Sequence, residues 1–344
     1  MKFLFSVYPF KKLNSGGFSF LNLLIKVFSK NNNYINNWEQ ADLILLNSHH
    51  WINSVFKIIL LKIKGREFVL RIDGPLNIYR KTYHSFFEDL LIHSFAINLS
   101  SGIIFQSKWS AEQNFKCNPK LKEIPYAIIF NGGTIFSDKN KSFKREEACL
   151  FVSNSSNFYK GFKLYQEFAE RSNFVKELKD LKFYVAGNIN SSFKNLVNIK
   201  SFGPINKEKL LNLMVKIKYY IHPSKYEACS NALIESINFG MIPLIYNGSS
   251  NVEIVKDHRL RFKTVDKLIE NLINVRKEEC YSDYSFLKLD INKTADYYLK
   301  FFYQVSKNKK KYKITKIIKF LSVFSLYYFS LYLLKLRSIL RRLF

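Results

Sequence analysis

The chain has 344 residues, 47% of them hydrophobic, with 54 Lys and Arg against 27 Asp and Glu and a formal net charge of +27. That length and apolar content suffice for two α/β domains with separate cores. Cys117, Cys149, Cys229 and Cys280 are scattered with no C-x-x-C pair, which suggests neither a zinc site nor a disulfide framework and fits a reduced, cytosolic chain.

The apolar run that begins at Met1 ends at Pro9, too short for a signal-peptide core, so Phe3 to Val7 reads as a first buried strand. Asn14, Ser15, Gly16 and Gly17 then form a glycine-bearing loop that opens a helix over Phe18 to Phe28. Such a loop lets the backbone approach a phosphate, or it is a plain turn. A second strand, Ala41 to Leu46, leads to His49 and His50. Adjacent histidines do not converge on one metal, and no carboxylate or cysteine spacing completes a site, so no metal is expected. One of the pair is placed to contact a ligand, or both are surface or packing residues.

The strand Glu67 to Ile72 ends in Arg71, Asp73, Gly74 and Pro75, where the two charges either pair and cap the turn or face a ligand. Gly102 to Phe105 is a fourth strand, followed by Gln106, Lys108 and Trp109. The segment Phe130 to Gly133 reads as structural. The polar stretch from Phe136 to Glu147 is the expected linker.

The second half repeats the grammar with strands at Cys149 to Ser153, Phe183 to Ala186, Tyr219 to Ile221 and Ile242 to Tyr246. Strands alternating with helical stretches imply parallel sheets with right-handed crossovers. After Ser153 a polar loop reaches Lys160 and Gly161 and precedes a helix with Leu164, Phe168 and Ala169 on one face. After Ile221, His222, Pro223 and Ser224 lead to Glu227, and Asn231 to Phe239 reads as a helix stopped by Gly240. Glu227 then sits at the carboxyl end of a parallel strand, where open α/β sheets bind ligands, and the next helix start suits a phosphate. Glu235, eight residues on, is close to two helical repeats away. Without context, Glu227 as a helix cap and Glu235 as a solvated residue would explain the pair equally well.

The string from Pro223 through Glu227 and Glu235 to Gly240 and Pro243 resembles the E-x7-E signature of the retaining glycosyltransferases of family 4, in the form found in bacterial surface-polysaccharide enzymes. The resemblance covers about 150 to 255 and is weaker before that. It implies the GT-B fold: two Rossmann-like domains whose parallel sheets face each other across a cleft. The expected boundaries are 1–135 for an acceptor-side domain, 136–147 for the linker, 148–289 for a nucleotide-sugar domain, 290–305 for a helix crossing back, and 306–344 for a basic, apolar helical tail.

The resemblance also implies roles. Glu235 would bind the nucleotide ribose, Glu227 the donor sugar, and Ala228, Cys229, Ser230 and Asn231 the donor at the helix start. Lys160 would hold the diphosphate, with Asn154 where the family commonly has Arg, and Gly16 and Gly17 would face the donor. Arg71, Asp73 and His49 form the expected acceptor side, and Glu227, Lys160 and Asp73 the expected catalytic set. Glu253 is expected to be structural. No cofactor is implied; the donor is a UDP- or GDP-linked sugar, and the reaction is hexosyl transfer with retention, without a metal.

The tail carries eleven Lys and Arg and no acid over 307–344, around the uncharged run Phe320 to Leu334. Fifteen residues fall short of the roughly 20 needed to span a bilayer. Lys316, Lys319, Ser330, Arg337 and Arg341 share one side of a helical wheel, interrupted by Val323 and Leu334. An interfacial helix on the anionic inner leaflet is the preferred reading, with a packed helix or an oligomer contact as the alternative. No nucleic-acid motif accompanies the charge, so nucleic acid is not an expected partner. The reading is a cytoplasmic enzyme, peripheral on the membrane, that transfers sugar to a saccharide or lipid-linked acceptor in polysaccharide or lipopolysaccharide synthesis. Its rivals are a non-catalytic GT-B scaffold and a nucleotide-sugar epimerase or hydrolase on the same fold.

Overall fold

The computed structural model describes residues 4–8, 16–136, 145–153, 157–188, 198–278, 284–307 and 313–343. Its contacts divide the chain into two units, the first comprising Met1–Lys12, Leu21–Phe130 and Ala295–Phe344, the second Leu13–Phe20 and Asn131–Thr294.

The elements in the first half are β1 (Phe5–Tyr8), α1 (Gly16–Lys30), β2 (Leu43–Asn47), α2 (Val55–Ile63), β3 (Glu67–Ile72), α3 (Leu76–Arg80), α4 (Tyr83–Asn98), β4 (Gly102–Phe105), α5 (Lys108–Cys117) and β5 (Tyr126–Ile128). The five strands pair in chain order, and all pairings are parallel. A parallel bridge joins Phe5 to Tyr34. The Phe5 N–H donates to the Asn33 carbonyl while the Leu4 carbonyl accepts from Leu43, so Tyr34 lies on the β1 edge away from β2 and the chain reverses its direction of travel between β1 and β2. The strands β2, β3 and β4 are buried along their whole length, which is why their central residues read as apolar runs. Local chemistry fixes the helices between them: Thr82 and Ser85 form a capping box at α4, and both Asp89 carboxylate oxygens accept backbone N–H groups at α3, each at 2.8 Å.

The second half runs β6 (Glu146–Ser153), α6 (Phe162–Ser172), β7 (Lys182–Gly187), β8 (Ile199–Ser201), α7 (Lys207–Lys216), β9 (Ile217–His222), α8 (Asn231–Asn238), β10 (Ile242–Tyr246), α9 (Asn251–Ile254), β11 (Arg261–Phe262) and α10 (Val265–Lys277). Two helices close the chain, α11 (Ile291–Lys307) and α12 (Ile314–Leu343). The second sheet is parallel throughout, in the order β11-β10-β9-β6-β7-β8. Its direction of travel also reverses, between β6 and β9. Tyr165 of α6 packs on Phe151 of β6 at 5.3 Å between ring centroids, and Phe168 on Phe183 of β7 at 5.5 Å, so the face that α6 presents to the sheet is aromatic.

Several elements differ from the sequence expectation. The strands β5, β8 and β11 are two or three residues long, too short to leave an apolar run. The strand β6 begins at Glu146, inside the stretch read as linker, because its two leading acids are satisfied from neighbouring strands. Glu146 accepts from Lys182 and from the Tyr184 hydroxyl at 2.8 Å each, and Glu147 accepts from Lys218 and from the Tyr219 hydroxyl. Residues 137–144 of the expected linker lie outside the described residues.

Candidate functional site

The carboxyl ends of β6 and β9 flank the reversal in the second sheet, the position where neighbouring loops diverge and leave a crevice. Lys160 arrives from the β6 side in a tight turn, Phe158–Lys160, and Glu227 from the β9 side in the loop before α8. The side chains meet, with Lys160 Nζ 2.5 Å from Glu227 Oε1, and the Ser224 hydroxyl donates to the same oxygen at 2.8 Å. The two loops interlock through backbone. Lys225 N–H donates to the Tyr159 carbonyl at 3.0 Å, and the rings of Tyr159 and Tyr226 meet edge to face. Gly161 has φ of +78°, and a Cβ there would lie 2.4 Å from the Pro223 carbonyl oxygen, so only glycine permits this approach.

Burial works against the charge of Glu227, but Lys160, His222 and the hydrogen bonds from Lys160 and Ser224 outweigh it and hold the carboxyl below its ordinary range. Glu227 is therefore an anion near neutral pH, with a side chain only 13% exposed against 36% for Lys160. Beneath them His222 is buried, its Nδ1 3.3 Å from the Tyr220 hydroxyl, and burial lowers its pKa to about 4.

Ser230 caps α8 by accepting the Leu233 N–H, so Ala228, Cys229 and Ser230 lead into the positive end of that helix. Asn231 is its first residue, and its side-chain oxygen accepts from Asn131 at 2.7 Å; Asn131 also reaches the Cys229 carbonyl at 3.3 Å. Glu235 lies one turn into α8, buried, and pairs with Lys207 at the start of α7. Burial raises its pKa despite that cation. Glu253 falls in the first turn of α9. Asn154 lies outside the described residues, and Gly16 and Gly17 form the start of α1.

In the first unit the ends of β2, β3 and β4 are joined by one guanidinium. Arg71 is 1% exposed and donates to Asn47 Oδ1 and to Gln106 Oε1, each at 2.5 Å. The Gln106 amide turns to Asp73, whose carboxylate is 3.7 Å from Arg71 and 36% exposed. Of the two charges expected on the acceptor side, Asp73 is accessible and Arg71 is sealed beneath it. Gly74 follows because the Trp109 ring sits where a Cβ would point, at 2.7 Å. His49 and His50 are half-buried with ring centroids 4.3 Å apart; burial and the His50 ring lower the His49 pKa to about 4, against the pull of Asp73. Among the described residues no group of three or more His, Cys, Asp or Glu could hold a metal ion.

Sequence reasoning missed Lys207 as the partner of Glu235 and Asn131 as the brace of the Cys229–Asn231 loop. Neither lies near its partner in the chain, and neither belongs to a periodic pattern. Ser224 had a signal, since it stands in the Pro-Ser step three residues before Glu227.

Residues 134–279 match the family Glycosyl transferases group 1. No curated protein matches the chain in sequence. Among solved structures, Anabaena HepE in complex with UDP-glucose superposes with a TM-score of 0.62 at 13% identity, over 89% of this chain and 98% of HepE. The pneumococcal O-GlcNAc transferase GtfA in complex with UDP and GlcNAc gives 0.58 at 13% identity, over 82% of this chain and 59% of GtfA. A variant of S. aureus TarM gives 0.56 at 15% identity, over 88% of this chain, which spans 59% of TarM. Residues 134–279 are thus matched as a glycosyltransferase group 1 domain, in a chain of GT-B fold, and this supports a glycosyltransferase.

Proposed function

We propose that this protein is a retaining glycosyltransferase of family 4 type that moves a hexosyl group from a UDP- or GDP-linked sugar to a saccharide or lipid-linked acceptor. The observation that carries the reading is the Lys160–Glu227–Ser224 cluster at the strand reversal of the second sheet. A nucleotide-sugar donor presents a diphosphate and a polyol side by side. Lys160 supplies fixed positive charge for the diphosphate, and the α8 N-terminus adds oriented N–H dipoles. Glu227, held ionised, is an acceptor-only group suited to sugar hydroxyls. Glu235 takes the ribose hydroxyls in this reading.

As the bond between the sugar and the diphosphate lengthens, negative charge grows on the leaving oxygen. Lys160 and the loop N–H groups stabilise that charge without reorganising, so the reaction needs neither a cofactor nor a metal. Asp73 and His49 are assigned to the acceptor. Arg71 is assigned to positioning Asp73 through Gln106, because its guanidinium is buried and engaged. The basic, acid-free segment 307–344 supports a reading in which the enzyme works on the anionic inner face of the membrane rather than on nucleic acid, with a lipid-linked acceptor in cell-surface polysaccharide or lipopolysaccharide synthesis.

The test is turnover of a panel of UDP- and GDP-sugars by the purified protein, with and without membrane lipid extract, beside Lys160→Ala and Glu227→Ala. Release of one nucleotide only with acceptor present, reduced about 100- to 1000-fold in each variant, is the expected result. Absence of both turnover and sugar-nucleotide binding under every condition would overturn the enzyme reading.

A further inference from the structure

The segment Ile314–Lys335 is long and apolar enough to cross a membrane by length and composition. Its packing says otherwise. Ile317, Phe320, Phe324 and Tyr327 recur at intervals of three and four and are buried in the core of the first unit with Trp51 of the β2–α2 connection and Phe95 of α4. The Phe320 ring lies 6.1 Å from Trp51 and 5.7 Å from Phe95, and Tyr327 lies 5.7 Å from His84. A bilayer-spanning α12 would withdraw this whole stripe and open the core over Trp51 and Phe95.

The opposite side of α12 is apolar too, and exposed: Ile318 is 57% accessible, Phe329 58% and Tyr332 58%. Alongside it α2 presents Phe56, Leu60 and Ile63, at helical spacings of four and three, with 71%, 60% and 63% of their surface exposed. The two faces meet through Phe324 of the packed stripe. Phe56 meets Phe324 edge to face at 6.1 Å, and Phe324 meets the exposed Tyr328 at 4.8 Å. Neither helix contains an acidic residue, and Lys57, Lys316, Lys319 and Lys335 are exposed on them. An apolar face on two helices whose charged residues are all cations, with aromatic rings among its apolar residues, matches the boundary between anionic headgroups and acyl chains.

We propose that α2 and α12 together form one docking face for an anionic phospholipid surface, on which α12 lies as a folded part of the first unit and does not cross the bilayer. The proposal rests on the membrane-surface part of the proposed function and is independent of its chemistry.

The full-length protein would be cosedimented with vesicles of phosphatidylcholine alone and of phosphatidylcholine mixed with phosphatidylglycerol. Two variants probe the face, Phe56→Ser/Leu60→Ser/Ile63→Ser and Phe329→Ser/Tyr332→Ser, and Phe174→Ser of the second unit serves as an exposed-aromatic control. The expected result is binding to the phosphatidylglycerol vesicles, weakened about tenfold or more by either variant and not by the control, with unchanged melting temperatures and release from membranes by alkaline carbonate. Three results would overturn the proposal. They are undiminished binding of the α2 variant, retention in carbonate-washed membranes, and a wild-type protein that ignores vesicles but forms a dimer that the α2 variant dissolves. A wild type that binds no vesicle yet turns over a nucleotide-sugar would sink the membrane reading and leave the transferase standing.

Discussion

Both units place charge at the carboxyl ends of parallel strands, yet they treat it in opposite ways. In the second unit Lys160 and Glu227 meet at the edge of the crevice, with Lys160 a third exposed. In the first, Arg71 is sealed among β2, β3 and β4 and engaged by Asn47 and Gln106, and only Asp73 reaches the surface. The contrast teaches that position at a strand end does not by itself make a residue a ligand-binding group. A cation bound on several sides by fixed protein acceptors is part of the architecture, whereas one paired to a single carboxylate from another loop can exchange that partner for a ligand.

The largest expected effect tests the sealed side. Arg71→Ala leaves the Asn47 and Gln106 amides buried without their partner and opens a void, and should destabilise the first unit by about 3–5 kcal/mol in chemical denaturation. Lys160→Ala, by contrast, should cost less, about 2–3 kcal/mol, because Lys160 is a third exposed and the buried Glu227 carboxylate keeps the Ser224 hydroxyl as a partner. Equal losses in the two variants would erase the distinction.

A second effect sharpens the description of the crevice floor. His222 has a folded pKa of about 4 against an ordinary 6.5, so the unfolded chain binds the extra proton between those values. Its contribution is present in full above pH 6.5 and fades as pH falls toward 4, at about 1.4 kcal/mol per unit, roughly 3 kcal/mol in all. Melting curves of His222→Gln should show a flatter pH dependence than the wild type across that window. A profile identical to the wild type would remove His222 as its source.

The smallest effect concerns the interlock. Gly161→Ala forces a side chain into a left-handed conformation and against the Pro223 carbonyl, and should cost about 2 kcal/mol while shifting Lys160 away from Glu227. The readout is weaker sugar-nucleotide binding by calorimetry, beside a modest drop in melting temperature. Unaltered binding would mean that the loop absorbs the change.

Much of this was legible in the residues. The apolar runs of β2, β3, β4, β9 and β10 stand out because both faces of a covered parallel sheet are buried. The start of α8 could be placed because Ser230 caps it and Gly240 stops the chain just beyond, and Glu227 could be placed in the loop before it. The opening of β6 was not legible, because Glu146 and Glu147 are polar residues whose partners come from β7 and β9. The tail was legible only in part. Its charge and apolar content were plain, but the stripe at Ile317, Phe320, Phe324 and Tyr327 is embedded in a helix that is apolar on nearly every side, so no periodicity separates the packed face from the exposed one.

The sequence by itself determined two α/β halves, parallel sheets and a strand-to-helix loop holding Glu227, because these depend on local periodicity and on turn-forming residues. Only the tertiary structure decided that Lys160 meets Glu227 across 67 residues, that Arg71 is locked while Asp73 is open, that Glu235 pairs with Lys207, and that α12 belongs to the core of the first unit. Those outcomes depend on which strand ends become neighbours and which way each side chain points. Pairing order and side-chain direction are properties of the whole packed chain, and no short stretch of residues encodes them.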